Sequence, residues 1–247
     1  MDTYTRHQLK QDKFATAAAT GVSWMEENRT RVVVVAIVAL FVVAAAIVGY
    51  NIYASRSESA AVAFGAALKT YESPIRPANA PNDPTTESYA NAQERAQTAN
   101  KEFLAVADKY GWTESGKNAR YFAGLTYVDE GQNTSAEATL KQAAAGWDKQ
   151  LASLAKEALA DLYHQTGRDA QAIELYNQLT DHPTDAVPAG LAQIELAELY
   201  TDEGKTELAH KIYAQLKDKD KNAKGVAGPA GAIATQKLNP APTGPQL

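Results

Sequence analysis

Cysteine is missing from all 247 residues. That excludes a disulfide framework, a thiolate metal site and a cysteine nucleophile. A strong charge of either sign is missing too. The formal net charge is −5, and no basic stripe of the kind that tracks a phosphate backbone is present. The four histidines (His7, His164, His182, His210) form no i, i+4 metal pair. No G-x-x-x-x-G-K-[ST] phosphate loop and no G-x-S-x-G nucleophile elbow occurs. The carboxylate pairs Asp129/Glu130 and Asp202/Glu203 flank glycines and read as solvated helix ends. The expectation is a protein that is not an enzyme. It has no metal or other cofactor, no small-molecule substrate and no nucleic-acid partner. An enzyme with an unrecognised site is the less favoured alternative.

Charge is also absent between Arg31 and Arg56. Val32–Gly49 is an unbroken run of Val, Ala, Ile, Leu, Phe and one Gly, and Tyr50 and Tyr53 close it. About 20 helical residues match a hydrocarbon core of about 30 Å, and a helix satisfies its own backbone there. The run is longer than the apolar core of a signal peptide and too uniformly apolar for an ordinary core helix. Residues 32–53 are therefore read as a retained transmembrane helix. Arg29 and Arg31 precede it, and basic charge is slightly denser before it (with Lys13) than after it (Arg56, Lys69). That bias places residues 1–31 in the cytoplasm and the rest across the membrane. The 1–31 segment, with Trp24 near its end, reads as a loose interfacial tail or a short docking helix.

Proline is absent from Tyr89 to His182, where Ala, Leu, Glu, Lys and Gln dominate. These are strong helix formers, so the array is expected to be all-α. Four of the ten prolines fall instead in Ser73–Ser88, which reads as an exposed, mobile loop. Residues 54–221 thus form a helical domain interrupted by loop 73–88. Residues 222–247 supply a weak capping helix, within Gly225–Leu238, and a disordered tail.

The helical region repeats itself. Tyr127, Tyr163 and Tyr200 align, as do Gly131, Gly167 and Gly204, with steps of 36 and 37 residues. Gly124, Ala160 and Ala197 align three residues before each tyrosine. Ala136, Ala172 and Ala209 follow, then the bulky Leu140, Tyr176 and Tyr213. Each unit reads as two helices with a short turn at the glycine. Thr134 (with Glu137 in capping-box spacing), Asp169 and Thr206 are expected to cap the second helices. Small residues let the pair approach, and neighbouring pairs must stack to bury their apolar faces. Arg56–Glu72 and Tyr89–Tyr110 offer a degenerate fourth pair. His164, before Gly167, reads as a cation offsetting a helix C-terminal dipole.

This pattern resembles the tetratricopeptide repeat. It departs in carrying Arg120, Lys156 and Gln193 where the family has Trp, and Asp148, Thr184 and Lys221 where it has Pro. Together with the apolar run, the resemblance implies a single N-terminal transmembrane helix followed by an α-solenoid of antiparallel helix pairs. It also implies a peptide groove along the first helices. Carried over residue by residue, the groove comprises Tyr121, Leu125 and Asp129, then Leu154, Glu157, Asp161 and His164, then Leu191, Ile194, Glu198 and Asp202. Asn118, Val128, Gln165 and Thr201 fall beside them. The family's carboxylate clamp of Lys and Asn is missing, and five acidic residues stand there instead. The implied ligand is a segment that is apolar and basic.

The order of parts narrows the resemblance. HQLKQDKF, then WMEENR, one span and then the repeats resembles the YfgM-like family. That implies an ancillary subunit of the Sec translocon in the bacterial inner membrane, with a periplasmic repeat domain linked to chaperones. An envelope-assembly or cell-division adaptor is the alternative.

Overall fold

The computed structural model describes residues 28–77, 87–220 and 227–239. Among them are nine helices and no β-strand, only isolated bridge residues such as Ile75 and Tyr89. The chain divides into two compact units, Met1–Ser55 and Arg56–Leu247. Helix α1 (Arg29–Glu72) contributes to both.

In the first unit α1 carries the apolar run. Its most apolar 18-residue window has a mean hydropathy of 3.2 and buries none of its residues. By length and composition it is a candidate membrane span. Asn51 is its one amide side chain, and Nδ2 donates to the Ile47 carbonyl at 2.8 Å, so that group is satisfied within the helix.

In the second unit, residues 56–72 of α1 pack against α2 (Ala92–Tyr110). Ala60 and Ala67 are fully buried there beside Phe103. Phe64, Tyr71, Phe103 and Phe122 form a ring cluster with centroids 5.3–6.2 Å apart. Asn100 is buried in this seam and donates to Ala123 O at 3.0 Å and Thr126 Oγ1 at 2.9 Å. Residues 56–72 of α1 and helix α2 are thus the two helices of this first pair. Residues 78–86 of the proline-rich loop lie outside the described residues. The flanks of that loop are pinned rather than free. Ile75 and Tyr89 bridge in parallel, and Arg95 Nη1 donates to the Ser73 carbonyl at 3.1 Å.

Three pairs follow: α3 (Glu114–Asp129) with α4 (Asn133–Ala144), α5 (Lys149–Gln165) with α6 (Asp169–Asp181), and α7 (Ala189–Asp202) with α8 (Thr206–Lys219). Each stacks on the next, and α9 (Pro229–Leu238) closes the array against α7 and α8. The aligned residues make the seams. Ala160 and Ala197 are fully buried. A Cβ on Gly124 would lie 2.6 Å from Leu140 Cδ2.

The turn inside each pair closes on the same backbone bonds, with the Thr166 hydroxyl adding bonds to the Leu162 and Tyr163 carbonyls in the α5–α6 turn. Gly131, Gly167 and Gly204 have φ of +73°, +70° and +76°, the left-handed region that costs an L side chain energy. The next amide (Gln132, Arg168, Lys205) donates to the carbonyl of Tyr127, Tyr163 or Tyr200 at 2.7–2.8 Å. The glycine amide donates to the carbonyl of the residue after the tyrosine (Val128, His164 or Thr201) at 2.9–3.0 Å. This is a Schellman closure. It corrects the expected caps. Gln132, Arg168 and Lys205 are the N-cap residues and make no side-chain cap bond. Asp169 and Thr206 already lie in the first helical turn, and Thr134 is one residue inside α4. The turn is so tight that the residue sealing one helix starts the next, leaving no position for a separate cap.

At the C-terminal end, the N-cap of α9 is Gly228, which has no side chain to cap with. Asp220, just past α8, supplies the acceptor: its Oδ2 takes the Gly231 amide at 2.7 Å. Helix α9 falls within the Gly225–Leu238 stretch, while the tail beyond Asn239 and residues 1–27 lie outside the described residues.

Candidate functional site

The first helices of the pairs (α3, α5, α7) carry the residues implied by the repeat resemblance. They are not evenly spaced. α3 packs closely on α5, but α5 and α7 make no comparable approach. The joint between α4 and α5 is residues 145–148, whereas that between α6 and α7 is residues 182–188. The longer joint is folded onto the array. Val187 is fully buried, Thr184 Oγ1 lies 2.6 Å from Ser153 Oγ, and the Ala186 amide donates to Gln150 Oε1 at 2.8 Å. It sets α7 away from α5, and side chains span the interval.

Most of the expected acidic residues have partners of their own. Asp129 accepts from Tyr71 Oη at 3.0 Å. Asp161 accepts a short hydrogen bond from Tyr176 Oη. Glu198 pairs with Lys237 of α9 at 2.7 Å. Asp202 lies 3.3 Å from His164 Nε2, and His164 Nδ1 lies 2.7 Å from Asp169. His164 thus ties the end of α5 to the start of α6 and to the end of α7. It does sit in the last turn of α5, as a dipole-offsetting cation should, but its specific partners are carboxylates.

Glu157 is different. It is half-buried, and burial with the charges of Asp161 and Glu195 pushes its pKa up to about 7. Burial also raises Asp161, against the Tyr176 hydrogen bond and the His164 charge. Burial raises Glu195, aided by Asp161 and Glu198 and opposed by Lys237. Tyr121 is raised by burial and then by Glu157 and Asp161. The structure therefore brings Tyr121, Glu157 and Asp161 together with Glu195, which the repeat positions passed over.

The apolar residues separate from this cluster. Leu125 and Leu154 are partly buried against the central core. Ile194 is only 4% exposed and packs with Ala197, Tyr213, Leu216 and Ala234. It is core under α9, because the added end helix covers the face that an open repeat would leave free. Leu191 lines a cavity of about 510 Å³ between α7, α8 and α9. Glu195, Lys237 and Tyr71 are the site residues that repeat positions alone miss, and Tyr176 is one that they assign to a helix seam rather than to the groove. Glu195 and Glu198 share a helix face at i, i+3, which is the one signal in the sequence for Glu195. Among the described residues no group of three or more His, Asp or Glu is placed to hold a metal ion.

Comparison with known proteins gives one family. The model of the tetratricopeptide repeat-like domain matches residues 23–215. No curated protein and no solved structure matches the chain. Domains of this kind are generally scaffolds for protein–protein interaction rather than catalysts. With the match taking in all three glycine turns and most of the chain, the protein belongs to the tetratricopeptide repeat-like family.

Proposed function

We propose that this protein is a membrane-anchored scaffold that takes basic, partly apolar segments of protein partners between α5 and α7. The observation that carries this is Glu157. Its carboxyl is half-buried beside Asp161 and Glu195, and burial together with those charges raises its pKa. A lysine or arginine placed there relieves that repulsion. The apolar run of α1 supports an anchor in a bacterial inner membrane, and the Arg29/Arg31 bias supports a periplasmic repeat domain. The order of parts supports a YfgM-like role beside the Sec translocon, passing exported chains to periplasmic chaperones.

The test is a titration of the detergent-solubilised full chain with a basic amphipathic peptide and an acidic one. The basic peptide should bind more tightly, less so at high salt. A cationic ligand prefers ionised Glu157, so its affinity should rise with pH through about 7 and then level off. Glu157→Lys should abolish the preference. Equal affinity for both peptides, or binding unmoved by Glu157→Lys, refutes the reading.

A further inference from the structure

On the edge of the array formed by the joints between pairs, two tryptophans stand out. Trp112 lies in the α2–α3 joint and is 50% exposed; Trp147 lies in the α4–α5 joint and is 82% exposed. Single exposed apolar side chains need no explanation, but two indoles on one rim do. Both line a cavity of about 370 Å³, together with Lys117, Arg120 and Leu151. The Lys117 ammonium sits 3.9 Å from the centroid of the Trp147 ring, so its contact is a ring face rather than a carboxylate. Arg120 Nη1 donates to Gln142 Oε1 at 2.7 Å, and Nη2 stands 3.8 Å from the exposed Asp108. The one acid lining the cavity, Asp148, accepts the Gln150 and Leu151 amides at Oδ1, where the positive end of the α5 dipole offsets its charge. The corresponding joint after α6, residues 182–188, carries no aromatic residue. The arrangement is therefore particular to this one joint and does not recur with the repeat.

We propose that this cradle is a second docking site, for an acidic partner segment carrying one large apolar side chain. Charge complementarity selects that occupant. The chain is acidic overall, and the α5–α7 face holds Glu157, Asp161 and Glu195, so an anionic segment is repelled there. At the cradle the same segment meets Lys117, held by a ring face and no carboxylate, and Arg120, held by the Gln142 amide and only loosely by the exposed Asp108 at 3.8 Å. Its carboxylates reach Lys117 and Arg120. Its apolar side chain enters the space beside Trp112, Trp147 and Leu151, which a flat surface would leave unfilled. Tryptophan and arginine are also the side chains that most often dominate such contacts. The cradle shares no residue with the α5–α7 face, so it stands or falls independently of that face.

The test uses the full chain in nanodiscs and a dye-labelled, capped peptide of glutamates around one phenylalanine. Two controls replace the glutamates with lysines and the phenylalanine with alanine. The acidic aromatic peptide should bind saturably and both controls weakly. Lys117→Glu should lower its affinity by about tenfold or more. Trp147→Ala, at a side chain exposed enough to leave the fold intact, should remove binding. Glu157→Lys should leave it unchanged. No saturable binding, equal binding of the lysine control, or an affinity indifferent to Lys117→Glu overturns the proposal. So does quenching of the Trp24→Phe chain by brominated anionic lipid without peptide, which would assign the two indoles to the bilayer surface.

Discussion

Glu157, His164 and Glu137 each couple the stability of this domain to pH. Glu157 has a folded pKa of about 7 against an ordinary 4.5. Its contribution is thus full below the unfolded value and is lost as pH rises through about 7. His164 acts in the same direction. Asp169, then Asp202, raise it above 6.5, so its ties hold below that value and weaken as pH climbs past the folded pKa. Glu137 acts in the opposite direction. Lys141 and Arg168, the latter 2.6 Å away in the next pair, hold its carboxyl down to about 2. Its contribution is present above 4.5 and lost as pH falls towards 2. Thermal melts should therefore peak on the acid side of neutral. Glu157→Gln should raise the melting temperature at pH 8 and leave it nearly unchanged at pH 4. A loss of stability at pH 8 would show that the carboxylate has a cationic partner. Glycines make a second contrast at this scale. Gly167→Ala forces an L residue into φ +70° and should cost about 1–2 kcal/mol. Gly65→Ala, mid-helix with open space around it, should stabilise by about 0.5–1 kcal/mol. Denaturant midpoints of the two variants check both signs.

The helices illustrate what the sequence makes legible. The three glycine turns and the small residues behind them could be read directly, because a left-handed φ and a close helix contact each admit few residue types. Replacing Ala160 with Leu should overpack the α5 seam by about 1–3 kcal/mol, read as a lower denaturant midpoint. The caps could not be read. Thr134, Asp169 and Thr206 have the right chemistry, but the turn closes on carbonyl and amide groups that every residue owns. The groove was half legible for a similar reason. Repeat positions locate Glu157 and Asp161 but say nothing of α9, whose packing turns Ile194 into core and brings Lys237 to Glu198. The helix α9 also owes its start to a residue outside itself. Asp220→Ala should weaken it by about 0.5–2 kcal/mol, as loss of a capping acceptor does. Hydrogen exchange should quicken at the Gly231 amide and leave α5 and α6 unaffected.

At the scale of the whole molecule, each pair is held by its neighbours, so the array ends where a helix has no further face to cover. Helix α9 plays that part, packing on the cluster of Ile194, Tyr213 and Leu216. Ending the chain at Asp220 should expose that cluster, lower the melting temperature and promote self-association, measurable by light scattering. Orientation is tested separately. A reporter active only in the periplasm and fused after Leu247 should be active, whereas activity from a cytoplasmic reporter at that position would reverse the topology. The backbone-closed turns carry one more consequence. A hairpin such as 149–181 seals its bend without borrowing a side chain from anywhere else, which makes it a cassette. A tandem copy of residues 149–188 inserted after residue 188 would bring its own turn and its own joint. It would need only matching cross-links of the kind Glu137 makes to Arg168 and His164 to Asp202. The array is in that sense a ruler whose length is set by duplication and whose registration marks are charged pairs.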